Sequence, residues 1–442
     1  MTGLLSTCGL QFQDWSAAYR LFSQPRLSTG HLFTGVRTAA AALIPDSEPL
    51  CISMDDSLFR KTGTKIHGVG WRRDPLGPKF QVNLVRAQRF LQFSLAVPHS
   101  EHSPAVRMIP IDFLHCPTAV RPRKNASEEE QAQYRQAQRV MNLSSQASTR
   151  LAALCAGLPK TSQQQPRPVH LLVDGQYTNR TVLKHLPAQT TLLGRIRKDA
   201  KLYYLPTPAT EAGPRGRRRQ YGTLAPTPEQ IRTADQHPWQ TISVFACGAQ
   251  HDCRVKVVTG LLWRTAGASR LLKLVVIAPL HYRLRAGSKL LYRQPAFLIC
   301  TDPAVDTQQI VQQYMWRWDI EVNFREEKSL LGVGQAQVRT PESNQSLPAF
   351  LIATYALLLL AAMRATPQQS PETLLPRSKW SARLKPQRTS TQRLIHHLQA
   401  EVWGRGIGVY HNFSHFSPPV AASAKPEKLT SSLSSALLYC NV

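Results

Sequence analysis

Acid is what this sequence lacks. Its 442 residues hold 27 Asp and Glu against 54 Lys and Arg, a formal net charge of +27. A surface so poor in carboxylates suits a polyanionic partner, because each neutralised phosphate releases condensed counterions. Nucleic acid is the first candidate and an anionic membrane surface the second.

Cysteine offers no framework. The eight cysteines, at 8, 51, 116, 155, 247, 253, 300 and 440, follow no repeated spacing, and as free thiols they fit a reducing compartment. One cluster, "CGAQHDC", could bring Cys247, His251 and Cys253 to a metal. Its spacing matches no common zinc knuckle and no second pair lies nearby, so these read as strand and turn residues. Long apolar runs are equally scarce. "LPAFLIATYALLLLAAM", from Leu347 to Met363, is free of charge but holds a proline near its start, and it reads as a buried core helix rather than a span of about 20 residues. The opening "MTGLLSTCGLQFQDW" has no basic segment followed by an apolar block, so no signal peptide is expected and a cytoplasmic location is.

What is present is a globular composition, 42% hydrophobic, with no internal repeat. Residues 1–49 read as a short helical region. From Leu50 the pattern turns to strands, "LCISM", "KFQVNLV" and "FLQFSLAVP", an antiparallel meander. A long helix is expected from Ser127, as N-cap, to Leu158. "VHLLV" then leads into Asp174, a helix over Asn179–Leu186 and the strand "TTLLGRI", which should return parallel. Strand, helix, strand after a meander implies a mixed α/β sheet, with its first part over 50–197. Residues 198–296 read as a β-rich insertion preceded by the basic loop "EAGPRGRRRQYG". Helices resume over 297–365, beginning at an Asp306 or Thr307 cap and running unbroken to about Leu331. The last stretch, 366–442, rich in Pro, Ser, Gln and Arg, is an appended region with a poorly ordered end.

The stretch "YMWRWDIEVNFREEK" carries the most chemistry. At about 100° per residue, Tyr314, Arg317, Glu321 and Lys328 fall at roughly 0°, 300°, 340° and 320°, one narrow polar face. Trp316, Ile320, Phe324 and Leu331 fall at roughly 200–280°, an apolar stripe beside it. A solvated charged face is the plain alternative. Divalent-metal phosphoryl transfer asks for two or three carboxylates from different elements, since Mg²⁺ takes oxygen ligands. Two further carboxylates leave apolar strands in "CISMDDSLF" and "LLVDGQYTN", although a single strand-end Asp is more often a turn residue.

The same stretch resembles the Y-x2-R-x3-E-x6-K signature of DDE transposases from bacterial insertion sequences, and "ISMDDSLFRKTG" and "VDGQYTNRTVL" are similar to that family's two aspartate blocks. The resemblance, over roughly residues 50 to 360, implies an RNase H-like mixed sheet flanked by helices and interrupted by a β-rich insertion. It implies a catalytic, metal-binding triad of Asp55, Asp174 and Glu321, with Asp55 preferred to Asp56 because first blocks tend to read Asp, any residue, Ser or Thr. It further implies Mg²⁺ (or Mn²⁺) as cofactor, double-stranded DNA as partner and a homodimer on that DNA. Tyr314, Arg317 and Lys328 would contact the DNA backbone, and Trp263 in "GLLWRT" would stack on an extruded base, where a core tryptophan is the plain alternative. Ten Lys or Arg against two acids between Arg180 and Arg219 could face DNA. The expected activity is metal-dependent cleavage at transposon ends and strand transfer. The rivals are an inactive DNA-binding derivative and an RNase H-like nuclease without strand transfer.

Overall fold

The computed structural model describes residues 13–398, apart from 25, 75–76, 79, 100–102, 207–218, 247, 283–286, 366–388 and 397. Most of the basic loop before Tyr221, Cys247 and most of the C-terminal region therefore lie outside the described residues. Two helices lead in, α1 (Ser16–Ser23) and α2 (Thr29–Ala41), the second capped by the Ser28 side chain accepting from His31 N.

An antiparallel group follows: β1 (Leu50–Arg60), β2 (Gly70–Arg73), β3 (Leu84–Pro98) and β4 (Val106–His115), with β1, β2 and β4 all pairing with β3. Most of the expected "KFQVNLV" strand falls in the loop between β2 and β3, and only its last residues pair. The sequence pattern hid β4, whose Pro110 argues against a central strand. The chain accommodates it next to a register shift at Phe93/Ser94, on a strand that pairs only with β3.

The expected long helix is two helices, α3 (Glu128–Val140) and α4 (Leu143–Ala156). Ser127 and Glu130 form a full capping box at the start, and Asn142 ends the continuity by capping Ser144 N through its own side chain. β5 (Val169–Val173), α5 (Arg180–Lys184) and β6 (Thr190–Arg195) then form the strand–helix–strand unit, and β6 does return parallel to β5.

Between β6 and the late helices come β7 (Leu202–Tyr203), α6 (Pro228–Thr233), β8 (Gln240–Ala246), β9 (Ala249–Trp263), β10 (Gly267–Ile277), β11 (His281–Tyr282), β12 (Leu291–Tyr292) and β13 (Ala296–Cys300). Of these, β7, β8, β9, β10 and β13 prolong the main sheet, whose order is β2-β3-β1-β5-β6-β13-β10-β9-β7 with β4 on β3 and β8 on β9. The sheet is thus mixed, mostly antiparallel, with a parallel centre at β1, β5 and β6. This is an RNase H-like α/β architecture with helices on its faces.

Three long helices follow the sheet, α7 (Thr307–Trp316), α8 (Asp319–Ser329) and α9 (Pro341–Ala365), and residues 391–396 are helical again. By length and composition Pro341–Arg364 could cross a membrane, yet it packs against β4 and α2 and buries Ile352, Tyr355, Leu359 and Leu360. Burying each such side chain contributes about 1.5–3 kcal/mol, which accounts for the apolar run as a core helix. Part of the C-terminal region also packs inward, since Leu394 joins the main core and Thr391 donates to Glu326 at 2.6 Å.

Candidate active site

The parallel pairing of β1 with β5 fixes the two aspartates. Its last pair is Ser53↔Leu172, so Asp55 and Asp174 each lie two residues further along neighbouring strands. β5 stops there and turns, with Asp174 Oδ1 accepting from Gln176 N at 2.9 Å and Tyr177 N at 3.2 Å. β1 does not turn, contrary to the expected strand end. It continues to Arg60 because β3 keeps pairing with it, Asp55 opposite Gln92 and Asp56 opposite Leu91.

Alternation along β1 separates Asp55 from Asp56. Asp56 faces the α5 side, where it accepts from Tyr177 Oη at 2.6 Å and Gln176 Nε2 at 2.9 Å and lies 3.2 Å from Arg89 Nε. Asp55 faces α8, and its Oδ2 is 3.4 Å from Arg317 Nη1. Burial, reinforced by the charge of Asp174, pushes the Asp55 carboxyl up to about 7 against the opposing pull of Arg317. Two carboxylates this close favour a cation between them.

The helix expected through the signature stretch is interrupted. α7 ends at Trp316 and α8 starts at Asp319, and the joint is tightened by bonds three residues apart, Ile320 N to Arg317 O and Glu321 N to Trp318 O. Both joint residues keep right-handed helical dihedrals, so the polar face carries across. Arg317, 8% exposed, reaches Glu321 Oε1 at 3.0 Å with Nη2 while Nη1 meets Asp55. Its Cζ lies 5.6 Å from the Tyr314 ring centre. Burial raises the Tyr314 hydroxyl, with Arg317 and Arg195 opposing and Asp174 adding to the shift, so Tyr314 stands among these three side chains.

Lys328 closes the row. Its Nζ donates to Ser57 Oγ at 2.6 Å and lies 5.2 Å from the Phe59 ring centre, on the same face of β1 as Asp55. Neither adjacent glutamate is its hydrogen-bonded partner: Glu326 accepts from Tyr355 Oη at 2.5 Å and from Thr391, and Glu327 is fully buried with both oxygens unbonded. The solvated-helix alternative therefore does not describe this face.

Sequence reasoning missed two sets of residues. Arg195 follows Gly194, which pairs with Val173, so it flanks Asp174 on the next strand. It was legible only as one basic residue among many. Beneath Asp55 lies a buried polar layer in which Gln92 Nε2 donates to Ser94 Oγ at 3.1 Å, Ser94 donates to Asn323 Oδ1 at 3.2 Å, and Asn323 donates to Tyr355 Oη at 3.1 Å. Asn323 and Glu327 did carry a signal, since on the helical wheel they fall at roughly 180° and 220°, inside or beside the apolar stripe.

Trp263 ends β9, is partly buried and packs against the main core. It also lines a cavity of about 660 Å³ together with Gly175, Thr178, Arg195 and Lys198, immediately behind Asp174. Of the described part of "CGAQHDC", Gly248 turns and Ala249–Cys253 belong to β9, with Cys253 buried and His251 exposed.

Among the described residues no three His, Cys, Asp or Glu groups converge closely enough to hold a metal as they stand. At this site the Arg317 guanidinium lies between Asp55 and Glu321. The donor set itself suits a hard divalent ion: three carboxylates from three elements, two of them mutually repelling.

A mixed sheet with carboxylates on adjacent central strands and a third on a late helix defines an RNase H-like core of the endonuclease type. A family model described as DDE superfamily endonuclease matches residues 12–254, more than half of the chain, and the chain belongs to that family. The match includes Asp55 and Asp174 and ends before Glu321. No curated protein matches this sequence. Family membership implies a DNA substrate and a nuclease activity of the kind that uses divalent metal.

Proposed function

We propose that this chain is a transposase that cuts DNA at the ends of its element and joins them to target DNA. The observation that carries the reading is the row Tyr314, Arg317, Glu321, Lys328 laid along the face where Asp55 and Asp174 meet. Asp55, Asp174 and Glu321 would hold Mg²⁺ (or Mn²⁺), which when bound activates water or a DNA 3′-hydroxyl for in-line attack and stabilises the leaving oxygen. Arg317, released from the carboxylates, would bind a phosphate beside the attacked bond. Tyr314 and Lys328 would fix the backbone on either side, while Arg195 and Lys198 would draw a displaced nucleotide toward Trp263. A homodimer on DNA would bring two ends together.

Incubating the protein with a plasmid carrying the DNA that flanks its gene, with Mg²⁺ or with EDTA, tests this. Metal-dependent cuts at inverted repeats and joined products are expected. Cuts without joining would favour a nuclease lacking strand transfer. Binding without cuts would favour an inactive derivative.

A further inference from the structure

The β2–β3 ribbon has no part in the row described above, yet it is built unlike an ordinary surface loop. Between residues 60 and 90 the sequence holds eight Lys or Arg and one acid, Asp74, and that acid is already paired with Arg60 at 2.7 Å. The pairing of β1 with β3 ends at Arg60↔Ala87, and beyond it β2 pairs with β3 as Trp71↔Arg86, Arg72↔Val85 and Arg73↔Leu84. The end of β3 is thus a two-stranded ribbon extending past the main sheet.

Cross-strand partners share a face, so Trp71, Arg73, Leu84 and Arg86 lie on one side of this ribbon. That side is open. Trp71 is 67% exposed and Leu84 51%, and the Arg86 guanidinium stands 6.0 Å from the Trp71 ring centre. The tip adds Phe80, 100% exposed. The opposite side is taken, with Arg72 Nη2 donating to Thr118.

Parity along β3 gives this open side its direction. Arg86, Gln88, Phe90 and Gln92 point the same way, and Gln92 sits opposite Asp55. The Trp71–Arg86 pair therefore lies on the Asp55 face of the sheet, six residues or about 20 Å along β3. At about 3.4 Å per base pair that is close to six base pairs of duplex from the carboxylates.

We infer that the open face of the β2–β3 ribbon binds the duplex flanking the scissile bond, with Arg73 and Arg86 on phosphates and Trp71 against the sugar and base edges. Charge decides the occupant. A second protein copy would cover the apolar side chains, but it would gain nothing from Arg73 and Arg86, which share this face with no acid beside them, whereas a two-stranded ribbon of this chemistry fits a DNA groove. The inference rests on DNA being the substrate, and its test separates the two.

The test uses the full chain and a random-sequence 30-base-pair duplex titrated at several salt concentrations. Arg73→Ala and Arg86→Ala should each lower the salt slope by about one unit, and Trp71→Ala should weaken binding about tenfold. These side chains are on the surface, and unchanged circular dichroism would confirm folding. A photo-crosslinking residue placed at 71 should capture DNA, and one at the exposed Val140 should not. Wild-type affinity and slope in all three variants, or capture at 71 of a second protein chain, would overturn the inference while leaving the DNA reading intact. If the wild type itself binds no duplex, both fail together.

Discussion

Arg317 and Asp55 meet across 3.4 Å, Nη1 to Oδ2, in a place where both side chains are nearly enclosed. A guanidinium there stands in for positive charge that the Asp55–Asp174 pair demands. We expect Arg317→Ala to melt below the wild type in EDTA and to recover much of that loss when Mg²⁺ is added, with a larger Mg²⁺-induced rise than the wild type shows, because a ligand of the folded state stabilises by mass action. Thermal melts with and without Mg²⁺ check it. An equal loss in both conditions would make Arg317 a packing group with no relation to metal.

The two neighbours on β1 should separate cleanly. Asp55→Asn and Asp174→Asn are expected to lower Mg²⁺-dependent nicking by at least about a hundredfold with little change in melting. Asp56→Asn keeps an acceptor for Tyr177 and should stay within about tenfold. Asp56→Ala strands the buried Tyr177 hydroxyl and should cost about 1–3 kcal/mol of stability. A nicking assay paired with melts decides, and Asp56→Asn failing as Asp55→Asn does would move the first ligand.

Much of this site was legible before folding because its residues sit on regular elements. Asp174 follows the strand "VHLLV" and the signature row follows the helical period, so pattern marked them as candidates and the resemblance supplied their roles. What stayed hidden depends on pairing between distant segments. Nothing local says that β1 continues past Asp55, since that follows from β3 lying opposite it. The break at Arg317 and the split at Asn142 arise from single capping or tightened bonds within otherwise helical patterns. The place of Arg317 between two carboxylates, rather than on open solvent, required the helix to be docked on the sheet.

Lys328 gives a separate test of the row. Its Nζ is held by Ser57, and a phosphate arriving along the Asp55 face could take over that bond. Lys328→Ala should reduce the salt slope of DNA binding by about one unit, while Ser57→Ala, which removes only the resting partner, should leave the slope unchanged. If both lower stability and neither alters the slope, the lysine is a strut between α8 and β1.

Glu327 supplies the pH dependence. It is fully buried in the polar layer, where neither its oxygens nor Gln92 Oε1 makes a well-formed hydrogen bond, and burial pushes its carboxyl up to about 8 from an ordinary 4.5 against the opposing pull of the Gln92 side chain and Lys328. A protonated Glu327 has a donor to offer this cluster of acceptors and an ionised one has none. Because the folded value is the higher, the unfolded chain gives up its proton first as pH rises. The wild type should therefore lose stability between about pH 4.5 and 8 and change little from this group above that. Glu327→Gln keeps the shape and carries its donor at every pH. Its advantage over the wild type should be small near pH 5 and reach on the order of 3 kcal/mol by pH 7. Urea unfolding of both proteins across pH 5 to 9 measures this difference. A gap that does not vary with pH would mean that Glu327 holds no buried proton and that the layer beneath Asp55 is charged.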